Sequence, residues 1–217
     1  MKHLFLLATA ICSMALLLTS GCATNRGVQD ITIAVPANPT SSKVVKIVKV
    51  TDLRKFEAAP RDPSVPSLRG KQVNNPAITC RAYARKRNGY GAALGDIVLP
   101  EGRTVEQVTR ECLQKALREK GYSVPDGETA DANAIPVEAE IQQFWAWMEV
   151  GFWSLSLQFE AIIKLKSPSL LQGGPEQTVK GTVLLHTQAA SGSAWKKTVT
   201  KGLEDLNLRI KEAVVAP

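Results

Sequence analysis

The residues between positions 81 and 87 have the types and spacing of an anion-recognition surface. Arg81, Tyr83, Arg85 and Arg87 occupy alternate positions, and Lys86 stands beside the end of this row. Alternate side chains share one face of an extended strand, so the row is expected on the solvent side around an aromatic ring. Guanidinium groups match phosphate and carboxylate oxygens, which makes the row a candidate ligand-binding surface. The alternative is an edge strand that carries charge to prevent pairing with other chains.

Catalytic motifs are missing from the sequence. His186 is the only histidine after position 3, and its place in the pattern is the polar face of a strand. There is no G-x-S-x-G motif, no cysteine and histidine cluster with metal-ligand spacing, and no phosphate-binding glycine loop. A carboxylate pair that forms only in the folded chain is left open. We predict a protein that is not an enzyme and that uses no metal and no cofactor.

Cys22 follows a segment with the parts of a secretory signal. Lys2 precedes an apolar run over residues 4–18, and Ser20 and Gly21 stand directly before the cysteine. The run is shorter than the roughly 20 residues of a spanning helix, so we expect cleavage of residues 1–21. Ser20-Gly21-Cys22 resembles the lipobox of bacterial lipoproteins, which implies a thioether-linked diacylglycerol on Cys22 and an acyl chain on its amino group. The alternative is an ordinary secretory signal with Cys22 as a free or disulfide-bonded thiol.

The residue after Cys22 and the net charge bear on location. Ala23 stands where an aspartate would resemble an inner-membrane retention signal, so we expect the outer membrane, facing the periplasm, as the location. Two or more acyl chains would hold the chain there, because each buried CH₂ contributes about 0.8 kcal/mol. The formal charge of +7 includes Lys2. The positive charge favours phospholipid head groups or lipopolysaccharide phosphates as surroundings, or serves solubility alone, and the location excludes nucleic acid.

Cys80 and Cys112 are the cysteines that remain beyond position 22. In an oxidising compartment such a pair predicts a possible disulfide. Both positions also fall on apolar faces in the sequence pattern. The alternative is therefore two buried thiols that act as small hydrophobic side chains.

The pattern of apolar residues predicts one α+β domain over residues 44–217, with a mostly antiparallel sheet and two helices on one face. Residues 22–43 are polar and small and predict a tether, with a possible short edge strand at 31–35. A strand over 44–50 precedes a Pro-rich loop at 57–76 and a hairpin from 78 to 99 with a turn at Asn88-Gly89. A helix then begins after Thr104, with Gln107 in capping-box spacing, and Gly121 ends it. Three alternating strands and a final helix complete the order.

The aromatic residues near the turn after position 150 would leave this sheet apolar on both faces. Trp145, Trp147 and Trp153 continue the phase of the core residues, whereas the residues that point the other way are Phe144, Met148 and Phe152. Something must cover that second face. The intramolecular candidates are the Pro-rich segment 57–76 and the tether. A partner protein or the membrane interface is the alternative, which makes these three residues candidate partner-binding residues.

The run Arg-Asn-Gly-Tyr-Gly at 87–91, the helical segment 105–124 with Lys-Gly-Tyr at 120–122, and the downstream strands resemble YajG-type lipoproteins. These are Gram-negative outer-membrane lipoproteins of unassigned biochemical role, and the likeness covers residues 44–214 in the order of elements. It implies a fold similar to domains of envelope-assembly lipoproteins, which dock on partners, and it supplies no catalytic residues. We therefore predict docking on an envelope protein. The alternative is a binding module for lipopolysaccharide or a peptidoglycan fragment through residues 81–87.

Overall fold

The computed structural model describes residues 25–127, 133–151 and 154–217 and confirms the α+β class. The strands are β1 (Gly27–Val28), β2 (Val45–Asp52), β3 (Ala82–Arg87), β4 (Ala93–Val98), β5 (Ile135–Val150), β6 (Leu155–Lys166) and β7 (Glu176–Thr187). The helices are α1 (Pro76–Thr79), α2 (Val105–Lys120) and α3 (Gly192–Ala213), and a 3₁₀ turn spans Gly70–Asn74. No helix of the described residues is long and apolar enough to cross a membrane.

The seven strands of the described residues form a single mixed sheet, in which six follow the order β1-β4-β3-β5-β6-β7 and β2 pairs with β5 off this path. The β3–β4, β5–β6 and β6–β7 pairs are antiparallel, as predicted. Strand β5 is long enough to pair with two strands, one after the other, along the same edge, and both strands run parallel to it. Its first half pairs with β2, and Ala146 in its second half pairs with Ala84 of β3. Strand β3 therefore lies inside the sheet, and its interpretation as a charged edge strand is wrong.

Arg54 fills the gap where β2 leaves β5 and β3 begins. Its side chain is fully buried, and Nη1 donates to the carbonyl oxygens of Ala82 at 2.6 Å and Phe144 at 3.0 Å. Nη2 donates to the carbonyl of Thr79 at 2.9 Å, at the end of α1. The Asp52 carboxylate accepts from Nε and Nη2 at 2.8 and 2.7 Å and balances the charge. The Arg54 guanidinium thus supplies donors to backbone carbonyls that have no strand partner between the β2–β5 pair and the β3–β5 pair.

Helices α2 and α3 pack against one face of the sheet and form the main core with it. The capping box of α2 is present, because Thr104 and Gln107 exchange side-chain and backbone hydrogen bonds. Gly121 ends the helix with a φ of 104°, a conformation that favours glycine. Helix α3 lies so close to β7 that a Cβ atom on Gly181 would stand 2.5 Å from Cβ of Leu206.

The segment before β2 is not the free tether predicted for residues 22–43. Residues 22–24 lie outside the described part, but residues 25–43 run along the domain. Strand β1 pairs with β4, and Ile31 is only 1% exposed within the main core. The carbonyl of Pro36 accepts from Arg118, and Asn38 accepts from the backbone of Val124. A few apolar residues in this polar segment suffice to bury it against a sheet edge, which its overall composition does not indicate.

The two cysteines do not form the possible disulfide. Both are free, and they belong to different parts of the fold. Cys112 is buried between α2 and α3, where its thiol lies 3.7 Å from the carbonyl of Leu203, and burial raises its pKa to about 12. Cys80 is half-buried at the end of α1, because residues 76–79 are helical where the alternation predicts a strand. Cys112 therefore agrees with the alternative prediction, a buried thiol that packs as a small apolar side chain.

Phe144 and Trp145 of β5 occupy the opposite faces of the sheet from those predicted. The β5–β6 register shifts between Ile141 and Gln143, so the later residues of β5 change sides. Phe144 packs in the main core, edge-on to Phe159 at 5.0 Å, and Met148 packs half-buried against that core. Trp145 lies on the opposite face. Phe152, the third residue predicted for a partner surface, lies outside the described residues, as does Trp153.

The Pro-rich segment 57–76 covers this opposite face, so the cover is intramolecular, but the covered face carries Trp145 and not the predicted Phe144 and Met148. A second apolar cluster contains Leu68, Ala82, Val98, Trp145 and Trp147. The indole nitrogen of Trp145 donates to the carbonyl of Pro63 at 3.2 Å, and the Gln143 amide donates to the carbonyl of Ser64 at 2.8 Å. The segment has no long helix or strand of its own, so these contacts hold it on the sheet.

Candidate anion-binding cleft

The five residues predicted as a solvent-exposed row take up five different environments. Tyr83 is completely buried in the main core, and its hydroxyl lies 3.2 Å from Oε1 of Gln29. Burial raises the pKa of the Tyr83 phenol. The expected exposure was wrong here because the β3–β4 register shifts between Ala82 and Ala84. The bulge places both Tyr83 and Ala84 in the main core, where strict alternation would place only one of them.

Three other members of the row bind backbone or hydroxyl groups of the protein itself. Arg81 precedes β3 and donates to the carbonyl of Leu99 at 2.8 Å, and Lys86 donates to the carbonyl of Asn25 at 3.0 Å. Arg87 is buried. It donates to the carbonyl of Gly91 at 3.0 Å and to the hydroxyl of Ser67 at 3.1 Å. These bonds fix the hairpin and the Pro-rich segment, so the row does not act as a single surface.

Arg85 is the member of the row whose hydrogen-bond donors are least satisfied. Its side chain is 6% exposed, and its Nε and Nη1 atoms are buried without a hydrogen-bond partner. The carboxylate of Asp96 faces it across the β3–β4 pair at 3.7 Å from Nε, which is an ion pair without a hydrogen bond. Desolvation lowers the pKa of Arg85, Asp96 opposes this effect, and the nearby Arg69 lowers the pKa further.

Arg85 lines a cleft of about 730 Å³ between three segments of the chain. The N-terminal segment contributes Arg26, the Pro-rich segment contributes Arg69 and Gln72, and β4 contributes Asp96. Arg26 donates to Asp96 at 3.1 Å and to Gln72 at 2.6 Å. Three guanidinium groups and a single carboxylate line the cleft, so its potential is positive. Its remaining walls are largely small residues, which leave room for a ligand: Ala58, Ala59, Ala93 and Gly95.

A second, mostly apolar cavity of about 530 Å³ adjoins this cleft. Its apolar walls are Val28, Leu94, Ile97, Met148, Ala190 and Trp195. Leu94 lines both cavities, and Lys86 and Arg87, the residues after Arg85, line the apolar one. The indole nitrogen of Trp195 is buried without a hydrogen-bond partner. A cationic space and an apolar space thus lie next to each other at the β1–β4 end of the sheet.

Sequence reasoning identified Arg85 and missed the other charged groups of the cleft. Arg26 fell within the predicted tether and Arg69 within the predicted loop, and neither position carries a local signal. Arg26, Arg69 and Asp96 come from three separate segments, so only the folded chain brings them to Arg85. His186 stays on the exposed face of β7, where its Nδ1 lies 3.1 Å from the Ser156 hydroxyl. Within residues 25–127, 133–151 and 154–217, no three His, Cys, Asp or Glu side chains form a group that could hold a metal ion.

Comparison with known proteins gives likenesses of fold at low sequence identity. No protein-family model and no curated protein sequence matches the chain. Among solved structures, an uncharacterised protein matches with 8% identity over 87% of this chain and 97% of its own, at a TM-score of 0.48. A protein of family DUF330 from Xanthomonas campestris matches with 11% identity over 86% of this chain and 91% of its own, at a TM-score of 0.44.

Proposed function

We propose that this chain is a lipid-anchored lipoprotein of the outer membrane that faces the periplasm and binds an anionic envelope ligand in the arginine cleft. It does so without catalysis. The signal-like segment, Cys22 and the resemblance to YajG-type lipoproteins support the location. The observation that carries the binding function is Arg85, a nearly buried guanidinium with two unpartnered nitrogen atoms in a cleft shared with Arg26 and Arg69.

The energetics favour an anion in this cleft. A buried cation without full compensation carries a desolvation penalty, and an anion placed beside it repays part of that penalty. Asp96 supplies one negative charge and divides it between Arg26 and Arg85. Arg69 is exposed at the rim of the cleft and has no carboxylate partner among the described residues. A bound anion would contact the nearly buried Arg85 inside the cleft and the exposed Arg69 at its rim.

Replacing Arg85 by glutamine is expected to weaken the binding of inorganic phosphate about 10- to 100-fold, since a charge-assisted hydrogen bond contributes roughly 1.5–3 kcal/mol. Calorimetric titration of the full mature chain in phosphatidylcholine nanodiscs measures the effect. Arg209→Gln is the matched control, because Arg209 lies on the exposed side of α3 and pairs with Asp205 and Glu212. Added salt should weaken the binding to the parent chain.

The exposed position of Arg69 provides a second variant that leaves the fold intact. Arg69→Gln should also weaken phosphate binding, by less than Arg85→Gln does. Thermal unfolding of each variant shows whether it is folded, so a loss of binding can be separated from a loss of structure. The proposed binding function fails if the parent chain binds no phosphate, or if both folded variants bind it as the parent does.

The lipid anchor has its own test. Cys22→Ser should leave an uncleaved precursor or a soluble form, because neither the thioether nor the recognised cleavage can be made. Intact-mass analysis of the parent chain should show Cys22 as the first residue, with diacylglycerol and an acyl chain attached. An unmodified cysteine or cleavage at another position would contradict the anchor, and enrichment in the inner membrane would contradict the outer-membrane location.

Docking on an envelope protein is a second candidate function, and the turns of two hairpins favour it. Tyr90 in the β3–β4 turn is 98% exposed, and Val150 at the end of β5 is about half exposed. The two turns meet, because a Cβ atom on Gly89 would lie 3.6 Å from Val150. An exposed aromatic ring and a half-exposed aliphatic side chain at the same end of the sheet suit a protein interface. A parent chain that binds no phosphate would favour this candidate over the cleft.

A further inference from the structure

We propose that the ligand is an anionic phospholipid of the leaflet that anchors the protein, with its phosphate in the arginine cleft and one acyl chain in the adjoining apolar cavity. This inference rests on the proposed function of the cleft and names the class of ligand. It follows from the juxtaposition of a cationic and an apolar space, and from the position of both beside the first described residues of the chain.

The cleft has the chemistry of a phosphate site. Guanidinium groups bind phosphate oxygens through paired donors, and Arg69 and Arg85 approach from different walls. Gln72 adds a polar side chain to the cleft, and Ala58 and Ala59 leave room for the phosphate. Asp96 offsets one of the three guanidinium charges, and the cleft lining stays cationic and attracts the negative charge of a phosphodiester.

The neighbouring cavity has the chemistry of an acyl-chain site. Its volume of about 530 Å³ lies within the range of 300–1,000 Å³ that is typical of small-molecule sites. Leu94, Met148 and Trp195 are among its walls, and burial of hydrocarbon against them is favourable because it removes apolar surface from water. Leu94 is common to both cavities, and Lys86, the residue after Arg85, lines the apolar one. One molecule with an anionic head group and a hydrocarbon chain therefore matches both spaces, whereas a free phosphate leaves the apolar one unused.

The proposed anchor places the cleft within reach of such lipids. Asn25 lines the cleft and lies three residues after Cys22. An extended chain spans at most about 3.3–3.6 Å per residue, so three residues after the lipid-bearing cysteine can bridge at most roughly 11 Å. Lipids of the anchoring leaflet can then supply the ligand by diffusion in the membrane plane.

Bromine-labelled lipids test this proposal through Trp195, since bromine atoms quench an indole that they contact. The full lipoprotein is placed in phosphatidylcholine vesicles with a minor fraction of phosphatidylglycerol brominated on its acyl chains. Subtracting the signal of Trp195→Phe isolates the fluorescence of Trp195. We expect quenching of this component by brominated phosphatidylglycerol, and little quenching by the same fraction of brominated phosphatidylcholine. Arg85→Gln should remove the difference between the two lipids, and Arg209→Gln should preserve it.

The outcomes separate this inference from the proposed function. Equal quenching by both lipids, or none by phosphatidylglycerol, overturns the phospholipid assignment. If the chain binds inorganic phosphate while Trp195 is not quenched, the cleft takes a soluble phosphate compound and only the present inference fails. If phosphate binding is also absent, the proposed function fails with it.

Discussion

Replacing Arg54 by methionine is expected to lower the free energy of unfolding by about 3–5 kcal/mol, the range measured for removal of one partner of a buried ion pair. Methionine fills a similar space but donates no hydrogen bonds. The carbonyls of Ala82 and Phe144 would lose their donor at the point where two strands succeed each other along β5. The Asp52 carboxylate, whose side chain is 15% exposed, would lose its counter-charge.

Chemical unfolding monitored by circular dichroism measures this effect. Arg209→Met is the control, because that side chain is half exposed and surface substitutions usually change stability by less than about 0.5 kcal/mol. Arg54→Lys should lie between the two, since an ammonium group keeps the charge but cannot reproduce the planar set of donors. A loss for Arg54→Met as small as that of the control would show that the guanidinium is not needed to join the strands.

Replacing Trp145 by alanine is expected to cost about 3–5 kcal/mol, as is usual for a buried aromatic residue. Trp145 is fully buried, its ring meets Phe56 edge-on at 5.9 Å, and its indole nitrogen donates to Pro63. The substitution would leave a cavity under the Pro-rich segment 57–76. Because Arg69 and Gln72 belong to this segment, we also expect weaker phosphate binding.

Trp145→Phe separates packing from hydrogen bonding at this position. It keeps most of the apolar contact and loses the bond to Pro63, so the expected cost is only about 1 kcal/mol. Hydrogen exchange should show faster exchange over residues 57–76 in Trp145→Ala than in Trp145→Phe. The proposed link between the segment and the cleft is refuted if Trp145→Ala accelerates exchange there and phosphate binding stays unchanged.

The sequence alone determined the features that depend on neighbouring residues. Thr104 and Gln107 lie three positions apart, which is the geometry of a capping box, and Gly121 adopts the left-handed conformation that its type favours. The long alternation after position 154 predicted β6 correctly, because strand periodicity follows from the backbone. The α+β class followed from the order of these elements. The anchor at Cys22 also rests on local residues, and it stays a prediction.

Only the tertiary structure decided which face each residue of β3 and β5 occupies. A single extra residue in one strand of a pair inverts every later side chain, because the period along a strand is two. The register shifts in the β3–β4 and β5–β6 pairs therefore placed Tyr83 in the core and exchanged the roles of Phe144 and Trp145. A bulge has no strong signature in residue type, so the alternating pattern did not reveal it.

The cleft also depended on the tertiary structure. Its charged groups are separated along the chain by up to 70 residues, as Arg26 and Asp96 show. Arg54 joins β3 and β5 in the same way, through backbone carbonyls that carry no information about residue type. Local preferences act over a few residues, whereas the positions of these groups are set by strand pairing and by the packing of the Pro-rich segment on Trp145. Contacts of this range form only when the whole chain buries its apolar surface, and so the sequence pattern could indicate a basic row but not the cleft that Arg85 lines.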